Sequence, residues 1–256
     1  MSHVPLIVLA GGKAKPEMEA VIGQSNRALA VFQGKTLLSR VVDALREAEP
    51  QSAVCVVGTV PESAAYSRKP DTGEFVSNVM SGVNEFSEHP FVLITTSDLP
   101  FLTGAIISEF MRQSLLLAET TGADIIYPVV PVAACYARFP GVKRTAVRLK
   151  EGEFTGGNLM LVRPAFVIQR EKQLGELYAA RKHPLRLALM LGIGTVARLI
   201  LAHTLAPSIL SIPQVESSAS RLFGGTALAL ICDMPEIATD LDRPSDFSAV
   251  LRKDNP

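Results

Sequence analysis

Two short segments carry groups suited to phosphate chemistry. In Leu6-Ile-Val-Leu-Ala-Gly-Gly12 an apolar run passes directly into paired glycines, and Lys13 and Lys15 follow. Read physically, this is a buried strand opening into a loop whose main chain is bare at Gly11 and Gly12. Exposed N–H groups together with ammonium groups suit a polyphosphate. In Phe91-Val-Leu-Ile-Thr-Thr-Ser-Asp98-Leu-Pro-Phe-Leu102 another buried run delivers a lone carboxylate to its carboxyl end. Position alone leaves Asp98 equally open to a ligand role and to an N-cap or turn role before Pro100.

The elements that must position these groups alternate along the chain. Segments 6–10, 53–57, 91–95 and 125–130 are short, rich in β-branched residues and bounded by turn residues, which predicts strands. Between them lie amphipathic helical stretches at 36–49, 75–86 and 104–119, the first placing Leu37, Leu38, Val41, Val42 and Leu45 on one face. Such alternation predicts an α/β fold, a Rossmann-like three-layer sandwich with a mostly parallel central sheet. Ligands of such folds bind at the carboxyl ends of the strands, where Gly11, Gly12 and Asp98 fall. Beyond 130 the pattern changes. A basic stretch at 138–149 contains Pro140-Gly141, a strand is expected at 154–162, and a helix at 164–180. A helix-rich block at about 181–220 reads as an insertion in a single domain of residues 1–256. A late strand is expected at 226–232, and a last helix at 245–252 with Ser245 as its N-cap.

Composition excludes some classes. The 256 residues are 48% hydrophobic and carry zero formal charge. That balance argues against a general nucleic-acid binder. Cys55, Cys135 and Cys232 are scattered in apolar stretches without zinc-site spacing, which suits reduced, buried thiols in a cytoplasmic protein. The opening apolar run lacks the basic lead and length of a signal peptide. The apolar stretch 185–210 is broken by Arg186, Arg198 and His203 and bracketed by Pro184 and Pro207. Its uncharged part is about half of the ~20 residues a spanning helix needs. Buried or groove-facing helices are expected there rather than a membrane role, packed in the core or at a homodimer face, or else shielding the site or taking a lipid-like acceptor. The four histidines lie far apart, and no Ser-His-Asp or Cys-His pattern suggests a protein nucleophile.

Taken together, several phrases carry a resemblance. Leu9-Ala-Gly-Gly12, Asn26-Arg-Ala-Leu29 with Gly34-Lys-Thr-Leu-Leu38, Thr96-Ser-Asp-Leu-Pro-Phe101, Thr155-Gly-Gly-Asn158 and Thr239-Asp-Leu-Asp-Arg-Pro-Ser-Asp246 occur in this order. In them the chain resembles the MobA-like nucleotidyltransferases of the GT-A-type superfamily, over roughly residues 4–165 and 226–250. The resemblance implies transfer of an NMP from an NTP to a small phosphorylated or hydroxylated acceptor, such as a cofactor or sugar phosphate, with Mg²⁺ as cofactor and pyrophosphate leaving. Likeness to molybdenum-cofactor guanylyltransferase makes GTP a candidate donor, although the residues themselves do not give the base.

The resemblance also implies roles. Leu9, Ala10, Gly11 and Gly12 match the nucleotide loop. Asp98 and Asp242 match metal ligands, with Asp240 a near rival and Asp246 at the following helix start. Arg27 stands where relatives carry a phosphate-contacting lysine. The family's loop arginine is missing, and Lys13 and Lys15 are candidates to replace it. Lys13, Arg27 and Asp98 thus form the expected catalytic set. Asn78 and Gly82 fall where relatives approach the base or sugar. Gly157 and Asn158 fall where a ligand would lie against the backbone, unless the glycines only make a bulge. The cations Arg138, Lys143, Arg144 and Arg148 suit an anionic acceptor, or else a solvated face. Two other readings stand beside nucleotidyl transfer. One is an inactive nucleotide-binding module, which the altered loop and Arg27 favour. The other is a nucleotide-sugar glycosyltransferase, which the single Asp98 disfavours because such enzymes normally carry Asp-x-Asp at that strand.

Overall fold

The computed structural model describes residues 3–180 and 210–251, with side chains through 247. The chain runs through β1 (Leu6–Leu9), α1 (Pro16–Ile22), the hairpin β2 (Val31–Phe32) and β3 (Lys35–Thr36), α2 (Leu37–Ala48), β4 (Val54–Val57) and β5 (Ser67–Lys69). Then come α3 (Phe75–Glu85), β6 (Val92–Thr96), α4 (Gly104–Thr121), β7 (Ile125–Pro131), α5 (Val132–Arg138), β8 (Val147–Leu149) and β9 (Gly152–Gly156). Next are β10 (Leu159–Val162), α6 (Pro164–Gln169) and α7 (Glu171–Ala180) and, after 210, α8 (Ile212–Phe223), β11 (Ala227–Ile231) and α9 (Pro244–Leu251).

Nine of the described strands form one sheet in the order β5-β4-β1-β6-β10-β7-β9-β8, with β11 pairing to β7. β5, β4, β1 and β6 run parallel, so their carboxyl ends share one edge. β10 pairs antiparallel with both β6 and β7, which makes the sheet mixed although mostly parallel. The alternation of side chains explains the layers. Leu6 and Val8 of β1 face one core with Leu38, Val41 and Leu45 of α2 and Ile107 and Phe110 of α4. Ile7, between them, faces the other core with Met80 and Val83 of α3 and Phe166 of α6. Strands covered on both faces read as continuous apolar runs, which is why β1, β4 and β6 were legible. Each fully buried Leu or Ile contributes about 1.5–3 kcal/mol relative to exposure.

Local signals set the helix ends. The Thr36 hydroxyl accepts from Ser39 N at 3.0 Å and starts α2, and Gly122, at φ +72°, closes α4. Three expectations are corrected. The strand expected at 154–162 is two strands: Gly157–Met160 stand opposite only Tyr127 and Pro128 of β7, so the Gly-Gly-Asn phrase forms a bulge. The helix expected at 164–180 breaks at Arg170 into α6 and α7. α9 starts at Pro244, so Ser245 lies inside it; the carboxylate of Asp246 instead accepts from the amides of Asp242 (3.2 Å) and Arg243 (2.8 Å). Residues 181–209 of the helical block expected at 181–220, and with them all but Leu210 of the apolar stretch 185–210 and its dimer-face expectation, lie outside the described residues. No helix among the described residues is long and apolar enough to cross a membrane.

Candidate active site

The tips of β1 and β6 are joined directly. Ser97 N donates to Leu9 O at 3.1 Å, one residue beyond β6 and at the last residue of β1. The diglycine bend and Asp98 are therefore neighbours across one edge of the sheet. Leu241 N donates to Asp98 O at 3.1 Å and brings the 239–246 segment to the same place. Asp98, Asp240 and Asp242 consequently converge, with one carboxylate oxygen of each within 4.8 Å of the others.

Charge in this cluster is unevenly compensated. The Asp98 side chain is only 4% exposed; one oxygen meets Arg27 Nη2 at 2.5 Å and the other accepts from Thr96 Oγ1 at 2.5 Å. The second terminal nitrogen of Arg27 is paired with Asp242 Oδ1. Burial raises the Asp240 carboxyl above its ordinary range, and the charge of Asp98 adds to the rise, against the pull of Arg27 and Arg144. Three acids thus stand around one bridging guanidinium. All the donors are hard oxygens, the set Mg²⁺ prefers. Its ~2.0–2.1 Å bonds put oxygens about 3–4 Å apart, so a modest closure of the trio accommodates it.

The glycine loop is fixed by its neighbours. Asn26 Nδ2 donates to Ala10 O (3.1 Å) and Thr59 O (2.9 Å), while its Oδ1 accepts from Ala28 N (2.9 Å). Asn26 thereby ties the loop to the short 3-10 turn Arg27–Leu29, and Arg27 N donates to Gly12 O at 3.3 Å. A Cβ on Gly11 would lie 2.6 Å from both Asn78 Nδ2 and Asp71 Oδ1. The bare Cα of Gly11 is therefore demanded by packing against that pair. Gly12 is exposed, and a Cβ there would stand 3.6 Å from Arg27 Nη2, so this glycine faces the cluster. Lys13 is exposed and paired in a bridge with Asn26; no ion pair holds its ammonium group among the described residues.

The remaining expected residues are placed differently from one another. Asn78 is buried; it accepts from Thr72 N (2.9 Å) and donates to Asp71 (2.8 Å), bracing the 71–73 turn beside Gly11. Gly82 is buried in mid-α3, where a Cβ would fall 2.6 Å from Ile7 Cγ2, so its small size serves helix-to-sheet packing. Gly157 is likewise buried, with Pro128 Cγ 2.9 Å from where its Cβ would be. Asn158 lies beside the end of β6: Thr96 N donates to its carbonyl at 3.3 Å, and its own amide donates to Ile237 O at 2.7 Å.

In the basic stretch Arg138, Lys143 and Arg148 are exposed, and the two arginines are paired. Arg138 pairs with Glu236 at 3.2 Å and Arg148 with Glu153 at 3.5 Å. Arg144 turns inward: it donates to Ala238 O, and to Thr239 Oγ1 at 2.6 Å, immediately before Asp240. Phe139 lies tilted against Phe101 (centroids 4.6 Å apart) and joins Val142, Leu241 and Phe247 in a third core. Sequence reasoning gave no role to Asp71 or to the Asn26 side chain, and it offered Arg144 to an anionic acceptor, whereas its guanidinium is engaged by Ala238 O and Thr239 Oγ1. The Asp71-Thr-Gly73 phrase was a turn signal, realised as Gly73 N donating to Asp71 Oδ1 at 2.9 Å.

Comparison with known proteins agrees with this fold. The model of the MobA-like NTP transferase domain matches residues 6–211. A hypothetical transferase structure from Thermus thermophilus is 34% identical over 96% of this chain and 100% of that one, with a TM-score of 0.80. A structure of CMP:2-keto-3-deoxy-manno-octonic acid synthetase complexed with CTP shares the fold at 11% identity (99% and 100% covered, TM-score 0.58). So does a nucleotidyl transferase from Methanothermobacter at 13% identity (99% and 100% covered, TM-score 0.53). No curated protein matches the chain. The chain belongs to the MobA-like NTP transferase family and is an enzyme of nucleotidyl transfer.

Proposed function

We propose that this enzyme uses Mg²⁺ to transfer an NMP from an NTP to a small acceptor bearing a phosphate or hydroxyl group, releasing pyrophosphate. The observation that supports it most is the convergence of Asp98, Asp240 and Asp242 beside the diglycine bend. Asp98, Asp240 and Asp242 would hold Mg²⁺, and the charge it supplies would offset the charge that builds at the α-phosphorus. The chain's own residues do the rest. The exposed backbone at Gly12 lets phosphates lie close, with the ammonium of Lys13 beside them. Arg27 supplies a two-pronged donor for phosphate oxygens. Asp71 and Asn78 hold the floor under Gly11, and Asn158 keeps the β10 end against β6. None of these is a nucleophile, so rate comes from positioning and charge neutralisation. GTP is the donor that the guanylyltransferase likeness favours. The three buried free thiols suit a reducing compartment, in keeping with a cytoplasmic location.

Pyrophosphate release, assayed with ATP, CTP, GTP and UTP against a pool of sugar and cofactor phosphates, tests the proposal. One donor should give Mg²⁺-dependent release that Asp98→Asn lowers by a factor on the order of a hundred or more. Binding of an NTP with no release for any acceptor would favour the inactive-module reading.

A further inference from the structure

Arg27 sits on the oxygens that a cation at this site needs. Its Nη2 lies 2.5 Å from Asp98 Oδ2 and its Nη1 is paired with Asp242 Oδ1, so one guanidinium bridges two of the three converging acids. The other oxygen of Asp98 is engaged by Thr96 Oγ1 at 2.5 Å. A dication and a guanidinium cannot share the same lone pairs, and two positive centres a few ångströms apart repel strongly where little water screens them. At 26% exposure for Arg27 and 4% for Asp98, screening is weak.

We propose that Arg27 closes the metal site in the nucleotide-free enzyme, and that a triphosphate opens it by drawing the guanidinium off Asp98 and Asp242. This rests on the nucleotidyl-transfer reading of the same cleft and adds an order to it: the cation enters with, or after, the nucleotide. The backbone of Arg27 is held by Gly12 O at 3.3 Å and by the 3-10 turn that Asn26 caps, so the exchange is a side-chain swing. The swing is short, because Nη2 already lies 3.6 Å from where a Cβ of Gly12 would be, against the loop on which phosphates would rest. A triphosphate offers the guanidinium several anionic oxygens in place of two carboxylates. Only a forked donor spans both acids at once, and a lysine here would reach one. Arg27 therefore makes cation and nucleotide binding positively coupled, and the coupling is reciprocal.

Mn²⁺ is the probe, its free concentration read by electron paramagnetic resonance with and without the α,β-methylene analogues of ATP, CTP, GTP and UTP. Wild type should bind Mn²⁺ weakly alone and about tenfold or more tighter with the correct analogue. Arg27→Met should bind Mn²⁺ about tenfold or more tighter than wild type without nucleotide, and gain little on adding it. Arg27→Lys should fall between, and it carries the test if Arg27→Met does not fold. Equal nucleotide-free Mn²⁺ affinity in wild type and the variants overturns the closing role while leaving the metal site standing. Absence of Mn²⁺ binding in every protein, with or without analogue, overturns the metal-site reading and this inference with it.

Discussion

Ser97 N donates to Leu9 O at 3.1 Å, and that bond sets the distance between the two halves of the site. One residue beyond Leu9 the chain enters its glycine loop; one residue beyond Ser97 it presents Asp98. A parallel pairing of β1 with β6, from Leu6↔Leu93 to Leu9↔Thr96, leaves the two tips level at one sheet edge. Chemistry at the carboxyl ends of parallel strands follows from that topology.

Two glycines should respond differently to the same added methyl. Gly11→Ala places a Cβ 2.6 Å from Asn78 and Asp71 at the loop itself, so nucleotide affinity should fall about tenfold or more as the loop shifts. Gly82→Ala places a Cβ 2.6 Å from Ile7 inside the sheet-facing core, costing about 1–3 kcal/mol of stability. The folded fraction of Gly82→Ala should bind nucleotide normally. Calorimetric titration beside denaturant unfolding separates the two; a folded Gly82→Ala that cannot bind would return this glycine to the nucleotide site.

Arg144→Met removes the donors that hold Ala238 O and Thr239 Oγ1 just before Asp240. Stability should fall by about 1–3 kcal/mol because a main-chain carbonyl loses its partner. The turnover rate should also drop, since the segment that carries Asp240 loses an anchor beside Asp98, with less effect on the KM for NTP. An unchanged turnover rate in the folded variant would confine Arg144 to a packing role.

The pH dependence should reveal the strain on Asp240. Burial first, and Asp98 second, raise its carboxyl above the ordinary 3.8. An acid raised in the fold favours folding most below its unfolded pKa, and this contribution is lost as pH climbs through the raised value. Asp240→Asn stays neutral, so without divalent ions it should be more stable than wild type at neutral pH. The gap should close as pH falls toward 3.8. Melting temperatures taken at stepped pH check this; a variant no more stable than wild type at neutral pH would contradict it.

What was legible in the sequence follows from the range of the contacts. The runs that became β1, β4 and β6 were readable because burial on both faces leaves them almost wholly apolar, and β7, where Tyr127 is exposed, because β-branched residues dominate it. The helix faces of α2 were readable because 3.6-residue spacing is a local property. Asp98 was visible as the acid ending such a run. The bridge from Arg27 to Asp242 was not, since 215 residues separate the two. Thr155-Gly-Gly-Asn158 announced a break but not its consequence, which is that β10 slips between β6 and β7. Arg144 read as one more cation in a basic run because only the fold turns it toward Ala238.

The most direct measurement is calorimetric titration of ATP, CTP, GTP and UTP, each with and without Mg²⁺, into wild type and Asp98→Asn. Wild type should bind one nucleotide about tenfold or more tighter when Mg²⁺ is present. Asp98→Asn, folded to the same melting profile, should lose that enhancement. Equal Mg²⁺ enhancement in both proteins, or none in wild type, would contradict a metal-bound triphosphate at the joined tips of β1 and β6.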